Sequence, residues 1–193
     1  RPPRSTLFPY TTLFRSLALF DAKKDGRVFA YDKSKLVILC TGGAISGVEL
    51  KKVLRNVYDI ELEMAGVNYA IAMSGAGDTR DNFSALENAL FAIDDTLSER
   101  NGLTKTITPI LPQKAVDPCK TNGLSGEYVD FDKSSGKISL ENVWAYPPGS
   151  PIIVKGEIVC QDDIKNLTLM YENGVSVSSE TRRFPSQILV EKQ

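Results

Sequence analysis

Residues 146 to 157, Tyr-Pro-Pro-Gly-Ser-Pro-Ile-Ile-Val-Lys-Gly-Glu, constrain this chain more than any other stretch. Pro147, Pro148 and Pro151 each lock one backbone torsion and remove one backbone donor. Pro148-Gly149 suits a type II turn, with proline presetting the first central φ and glycine supplying a positive second one. Ile152 to Val154 reads as a short apolar strand, which Lys155-Gly156-Glu157 interrupts. Three prolines and two glycines around an apolar tripeptide give a rigid backbone. Rigid loops on a scaffold are good places for binding groups.

Upstream, the pattern alternates between strand and helix. Leu36 to Cys40 is a continuous β-type apolar run and predicts a buried strand, broken by Gly42 and Gly43. Ser46-Gly47-Val48-Glu49 fits a capping box opening a helix, with Val48, Leu50, Val53, Leu54 and Val57 largely on one side. Ile60, Leu62 and Met64 alternate with Glu61 and Glu63, which predicts a strand with one wet face. Asn68 to Met73 predicts another strand. Ser74 to Gly77 turns the chain, and Asp78 or Thr79 caps a second helix carrying Phe83, Leu86, Leu90, Ile93 and Leu97. Asn101-Gly102 is its expected stop. The result is a compact α/β unit whose small, mostly antiparallel sheet is covered by two helices.

Residues 103 to 125 read as a connector with a short helical turn near Lys114. Gly136 to Val143 reads as a turn feeding a strand. Asp162 is the expected cap of a last helix carrying Ile164, Leu167 and Tyr171 on one face, with Gly174 as its stop. This part is expected to be a small C-terminal α+β domain.

Several function classes fall away on composition. The sequence contains no histidine, which removes Ser-His-Asp triads, Cys-His pairs and every histidine-containing metal site. Cys40, Cys119 and Cys160 are odd in number, widely spaced and without a CxxC. A disulfide framework or zinc site is therefore not expected, and the thiols suit a reducing cytoplasm. The net charge of −1 provides no field for nucleic acid or an anionic membrane surface. No apolar run approaches the roughly 20 residues that span a bilayer.

The remaining local motifs have plain structural readings beside the functional ones. Gly42 and Gly47 have the spacing of a phosphate-binding loop, but Val48 replaces the lysine that would meet phosphate, so a tight strand-to-helix turn is expected. Ser74 to Thr79 precedes a helix N-terminus, where an anion could sit, but a glycine turn with a capped helix needs less. Glu61 and Glu63 share a strand face and could pair for acid–base work; a solvated face is the commoner outcome.

Arg1 to Ser16 has neither helical nor strand period and contains two Thr-Leu-Phe repeats. All sixteen residues resemble an in-frame translation of a short-read sequencing adapter. Residues 1–16 are therefore expected to be an artefactual segment, with native sequence beginning near Leu17 and its true start missing.

The segment from Tyr146 resembles the C-terminal signature of the Orn/Lys/Arg decarboxylase family, close to Y-P-P-G-x-P-x-x-x-P-G-E. Tyr146-Pro147-Pro148-Gly149, Pro151 and Gly156-Glu157 match in order, and Lys155 stands where the family usually has proline. The run from Lys35 to Met73, Gly77-Asp78-Thr79, the Leu86 to Leu97 helix and Leu111 to Ala115 are similar to successive family segments. The resemblance implies a C-terminal fragment of a pyridoxal-phosphate enzyme of the aspartate-aminotransferase fold type. Residues 17–102 would be the end of the large domain plus an α/β linker unit, and residues 103–193 the C-terminal domain. The family decarboxylates ornithine, lysine or arginine on a cofactor held by a Schiff-base lysine that follows a histidine. Those groups lie upstream in the family, so this chain is expected to hold no catalytic residue and no covalently bound cofactor. The implied partners are the missing N-terminal cofactor domain and further copies of the intact enzyme, as a homodimer or higher homo-oligomer in the cytoplasm. Tyr146, Pro148, Gly149 and Glu157 are expected to shape substrate access.

Two other readings stay open on the sequence. One is a non-catalytic α/β module that binds a partner. The other is a fragment of an aminotransferase, whose small domain would clamp a carboxylate with arginine; Arg80, Arg182 and Arg183 are the candidates.

Overall fold

The computed structural model describes residues 14–21, 23, 26–41, 44–97, 107 and 110–192. The expected breaks at Gly42-Gly43 and Asn101-Gly102 lie outside the described residues, as does most of the adapter-like segment. The chain divides into two compact units, residues 1–106 and 107–193.

The first unit contains β1 (Leu17–Leu19), β2 (Lys35–Cys40), α1 (Gly47–Tyr58), β3 (Met64–Ala65), β4 (Tyr69–Met73) and α2 (Arg80–Thr96). The strands form one antiparallel sheet in the order β1-β2-β4-β3. Alternate residues Ile38, Cys40, Ala70 and Ala72, with Leu17, turn to one face. There they form a core with Leu50 and Leu54 of α1 and Leu86, Ala89, Leu90 and Ile93 of α2. Burying a leucine completely, as at Leu50, Leu54 and Leu90, stabilises by about 2 kcal/mol relative to leaving it exposed.

The Ser46 capping box forms as expected: Glu49 N donates to Ser46 Oγ, and Ser46 N donates to Glu49 Oε2. Thr79 is the N-cap of α2, reciprocated by Asn82. Gly47 is required by space. A Cβ there would run into the carbonyl oxygens of Tyr69 and Gly66, so Gly47 serves the close packing of α1 against β4.

Three expectations change here. The predicted Ile60 to Met64 strand shrinks to Met64–Ala65, because Asp59 takes a left-handed turn and Ile60 N returns to Leu54 O. Val57, expected on the apolar side of α1, is 67% exposed one residue before the helix ends. The strand β1 was not foreseen; three residues carry too little pattern to register.

The second unit holds β5 (Gln113–Lys114), a 3-10 helix (Pro118–Gly123), β6 (Gly126–Asp130), a short 3-10 turn (Phe131–Lys133), β7 (Val143–Tyr146), β8 (Ser150–Ile153), β9 (Glu157–Ile158), α3 (Gln161–Glu172), β10 (Ser176–Ser179) and β11 (Gln187–Glu191). The strands form a three-stranded antiparallel sheet β10-β7-β8 and two antiparallel pairs, β11-β6 and β5-β9. Phe131, Val143, Ile153, Val159, Ile164, Leu167, Ile188 and Val190 make the core.

Lys114, expected near a helical turn, is in a strand pair opposite Glu157, and the helical turn comes four residues later at Pro118. The cap of α3 is Cys160 rather than Asp162. Asp163 sits at the third helical position and returns its carboxylate to Cys160 N, while its own N–H donates to Cys160 Sγ. Ile164 and Leu167 are buried as expected; Tyr171 stays half exposed, edge-on to Phe184. Gly136 to Asn142 makes only single bridges at Ile138 and Ser139 before β7 begins. Among the described residues, no helix is long and apolar enough to cross a membrane.

Candidate functional site

The proline-rich segment folds into the β7-β8 hairpin. Val143 pairs with Ile153 and Ala145 with Ser150, leaving Tyr146 to Gly149 as the tip. Gly149 has φ +92°, the left-handed value the turn reading required, and its N–H donates to Ala145 O at 2.9 Å. A Cβ on Gly149 would meet only the Tyr146 ring at ordinary contact distance, so glycine is needed there for its torsion. The bonds Tyr146-Pro147 and Pro147-Pro148 are both cis. Tyr146 is 63% exposed, and Pro148 and Gly149 are exposed beside it.

Glu157 sits at the other end of the hairpin. Its Oε2 accepts the Val154 N–H at 2.8 Å, and its own N–H donates to Val154 O. The carboxylate thus closes the turn from Val154 to Glu157. Gly156 in that turn has φ +92°, and a Cβ would collide with the Val116 carbonyl. Four strand residues separate this turn from the tip, a span of roughly 10 Å. The structure therefore brings Tyr146, Pro148 and Gly149 together and sets Glu157 apart from them.

Lys155 occupies the position where the signature has proline, and the structure uses the N–H that proline would lack. It donates to Asn142 Oδ1 at 2.9 Å, while Lys155 Nζ lies 3.7 Å from Glu180. Asn142 Nδ2 donates to Glu180 Oε1 at 2.7 Å. Next to Asn142 is Glu141, which is fully buried. Its Oε2 accepts from Thr181 N and Thr181 Oγ1 at 2.9 and 2.8 Å, and its Oε1 accepts from Leu189 N at 2.7 Å. Sequence reasoning passed over Glu141. A glutamate just before strand β7 carries no local signal, because its partners are 40 and 48 residues away.

The other sequence candidates take up structural duties. Asp78 Oδ2 accepts the Gly75 N–H, so the Ser74 to Thr79 turn supplies its own anion. Glu61 pairs with Lys51 and Arg55, and Glu63 pairs with Lys35. Arg183 lies 3.8 Å over the Tyr128 ring, and Arg80 and Arg182 are exposed. At the exposed pair Lys114–Asp117, the shared hydrogen bond holds the lysine ammonium above its ordinary pKa and the aspartate below its own. Burial, with help from Asp163, pushes the Cys160 thiol up.

The second unit is thus a mixed α/β domain built on small antiparallel sheets, with a rigid proline-glycine hairpin at one edge. Residues 101–177 match the family model described as "Orn/Lys/Arg decarboxylase, C-terminal domain". The arginine decarboxylase of Bacillus subtilis is 28% identical over 152 residues, covering 77% of this chain and 31% of that protein. The arginine decarboxylase of Halalkalibacterium halodurans is 30% identical over 149 residues, covering 75% and 30%. The crystal structure of a Francisella novicida lysine decarboxylase superposes with a TM-score of 0.60 at 17% identity, covering 86% of this chain and 32% of that one. The chain spans about a third of the length of the curated relatives it matches.

Pyridoxal phosphate needs a lysine whose amine is free to form the Schiff base. Lys35, Lys51, Lys137 and Lys155, the lysines with side chains about a third exposed or less among those in ion pairs, each end on a glutamate.

Proposed function

We propose that this chain is the C-terminal portion of a decarboxylase acting on ornithine, lysine or arginine, and that the Schiff-base lysine and cofactor pocket are supplied by sequence outside these 193 residues. The observation that carries the reading is the signature itself: Tyr146-Pro147-Pro148-Gly149, Pro151 and Gly156-Glu157 fall inside the matched family domain and fold as one hairpin. The share of the relatives covered, about a third, is in keeping with a chain that contributes to a cofactor site without containing it. In this reading the partner is an N-terminal cofactor domain, the assembled enzyme is a homodimer or higher oligomer, and it works in the cytoplasm.

Within such an enzyme the chain's own residues orient and admit the substrate. Tyr146 offers an exposed aromatic face, to which a cationic side chain is attracted by the ring quadrupole. Pro148 and Gly149 hold that ring at the hairpin tip, and Glu157 fixes the turn at the base. The cofactor, when bound, supplies the electron sink that makes loss of carbon dioxide possible.

The first test is the coding sequence upstream of Leu17 in the source DNA. Continuation into a large α/β domain with a histidine-lysine pair supports the reading; an in-frame start directly before Leu17 removes it. In the complete enzyme, Tyr146→Ala is expected to raise KM for the basic amino acid about tenfold with a smaller change in kcat, the loss that a cation–π contact of about 1–2 kcal/mol would give. Unchanged steady-state constants would take Tyr146 out of substrate access.

A further inference from the structure

We infer that Glu141 is the positioning residue of the Tyr146–Gly149 tip, acting through Asn142 from the far end of the sheet. The functional meaning of this inference rests on the tip's proposed part in substrate access; the mechanical coupling does not. The registers carry the argument. Ser179 pairs with Val143, and Val143 pairs with Ile153, so β10, β7 and β8 come level at one end. At the other end Tyr146 pairs with Ser176, and Ala145 with Ser150.

Everything that leaves the level end is tied together. Glu141 and Asn142 lead into β7, Glu180 and Thr181 follow β10, and Val154 to Glu157 follow β8. Glu141 takes both donors of Thr181 and reaches Leu189 in β11. Asn142 takes the Lys155 N–H with one side-chain atom and gives a hydrogen to Glu180 with the other, while its backbone oxygen accepts the Glu180 N–H. Ser139 Oγ donates to the Glu141 carbonyl at 2.6 Å and holds the backbone of the same segment.

The tip is held by backbone pairing, Tyr146 with Ser176, in place of buried side-chain hydrogen bonds. Tyr146, Pro148 and Gly149 are exposed, and the Gly149 N–H donates back to Ala145 O across the tip. β7 is the central strand of a three-stranded sheet, so the tip shares the order of the fixed end through the four residues of β7 that run between them. Glu141 is suited to fix that end because it is wholly buried and every donor aimed at it would be left unpaired if its acceptors were lost.

The test is amide hydrogen exchange, read residue by residue, on the full 193-residue chain. Glu141→Gln keeps the size and replaces one acceptor oxygen by a donor facing either Thr181 or Leu189. The expected result is at least about tenfold faster exchange at Gly149 and at the Trp144 and Ala145 amides, with the α3 and β2 amides unchanged. Trp144, the single tryptophan, should report the same loosening as a fluorescence change. Gly149 protected as in the parent, while Thr181 and Leu189 lose protection, would overturn the inference. A uniform rise through α3 would also overturn it, because that is loss of the whole unit rather than release of the tip. If the Gln variant does not fold, Asn142→Ala serves in its place: faster Gly149 exchange supports the coupling, and unchanged exchange rejects it. Neither readout uses decarboxylation, so unchanged kinetics in Tyr146→Ala would remove the substrate-access reading and leave this coupling standing.

Discussion

The two units hide different kinds of atoms. In the first, the described side chains lost from solvent are aliphatic, apart from Ser16, Cys40 and Asp94. In the second, Thr121, Ser134, Ser139, Glu141, Asp163 and Ser179 are buried among a smaller set of apolar residues. Asp94 and Glu141 nevertheless satisfy themselves alike. Asp94 accepts the backbone N–H groups of Arg15, Ser16 and Leu17, and Glu141 accepts three donors from Thr181 and Leu189. The difference lies in what surrounds them. The first unit rests on nondirectional burial of two helices over a sheet, which tolerates exchange among aliphatic residues of similar volume. The second rests on turns and hydrogen bonds that have direction and count, so an atom of the wrong type costs more than one of the wrong size.

That contrast can be broken by substitution. The largest effect is expected at Gly156→Ala, which forces a side chain onto φ +92° and into the Val116 carbonyl. A loss of about 3 kcal/mol or more is expected, read as a lowered denaturation midpoint of the second unit alone. Leu90→Ala should cost about 3 kcal/mol through a cavity, this time in the first unit, while Leu90→Met should cost less than about 1.5 kcal/mol. If the methionine variant proves as damaging as the alanine one, the tolerant picture of the first core is wrong.

A smaller, pH-dependent effect separates the units again. Burial, reinforced by the charge of Glu49, pushes the Cys40 thiol from 9.0 up to about 12. The unfolded chain therefore loses this proton first as pH rises. The contribution of Cys40 to stability is intact below pH 9.0 and declines from there towards pH 12. Melting of the first unit should fall over that window, and Cys40→Ala should flatten the slope. In the folded chain at pH 8, exposed Cys119 should take up an alkylating reagent while Cys40 stays unmodified. The smallest effect is expected at Lys155→Ala. It keeps the N–H to Asn142 and loses only the ion pair with Glu180, worth about 0.5 kcal/mol or less. A larger loss would mean that the ammonium, not the backbone N–H, makes up for the absent proline.

Much of the first unit was legible because its information is local. The Leu36 to Cys40 run, the Ser46–Glu49 box and the helical spacing from Phe83 to Leu97 each state a period or a cap within a few residues. The pairing of Asp94 with the chain entering β1 was not legible, because it is made with backbone N–H groups that any residue provides. In the second unit the turn at Pro148-Gly149 and an apolar strand after it were foreseen, since prolines and glycines write their torsions directly into the sequence. Strands β6, β10 and β11 were missed. Segments such as Ser176–Ser179 owe their conformation to partners on distant strands, and their own β preference is weak.

The sequence by itself determined the rigid turn at Tyr146 to Gly149, the positive φ at Gly149, the capped starts of α1 and α2 and the family signature, because each depends on the covalent properties of neighbouring residues. Only the tertiary structure decided that Glu157 closes a turn at one end of the sheet while Tyr146 stands at the other. It alone placed the N–H of Lys155 on Asn142 and the carboxylate of Glu141 on donors 40 and 48 residues away. Hydrogen bonds across such separations form only when packing has already brought the strands together, so no local pattern announces them.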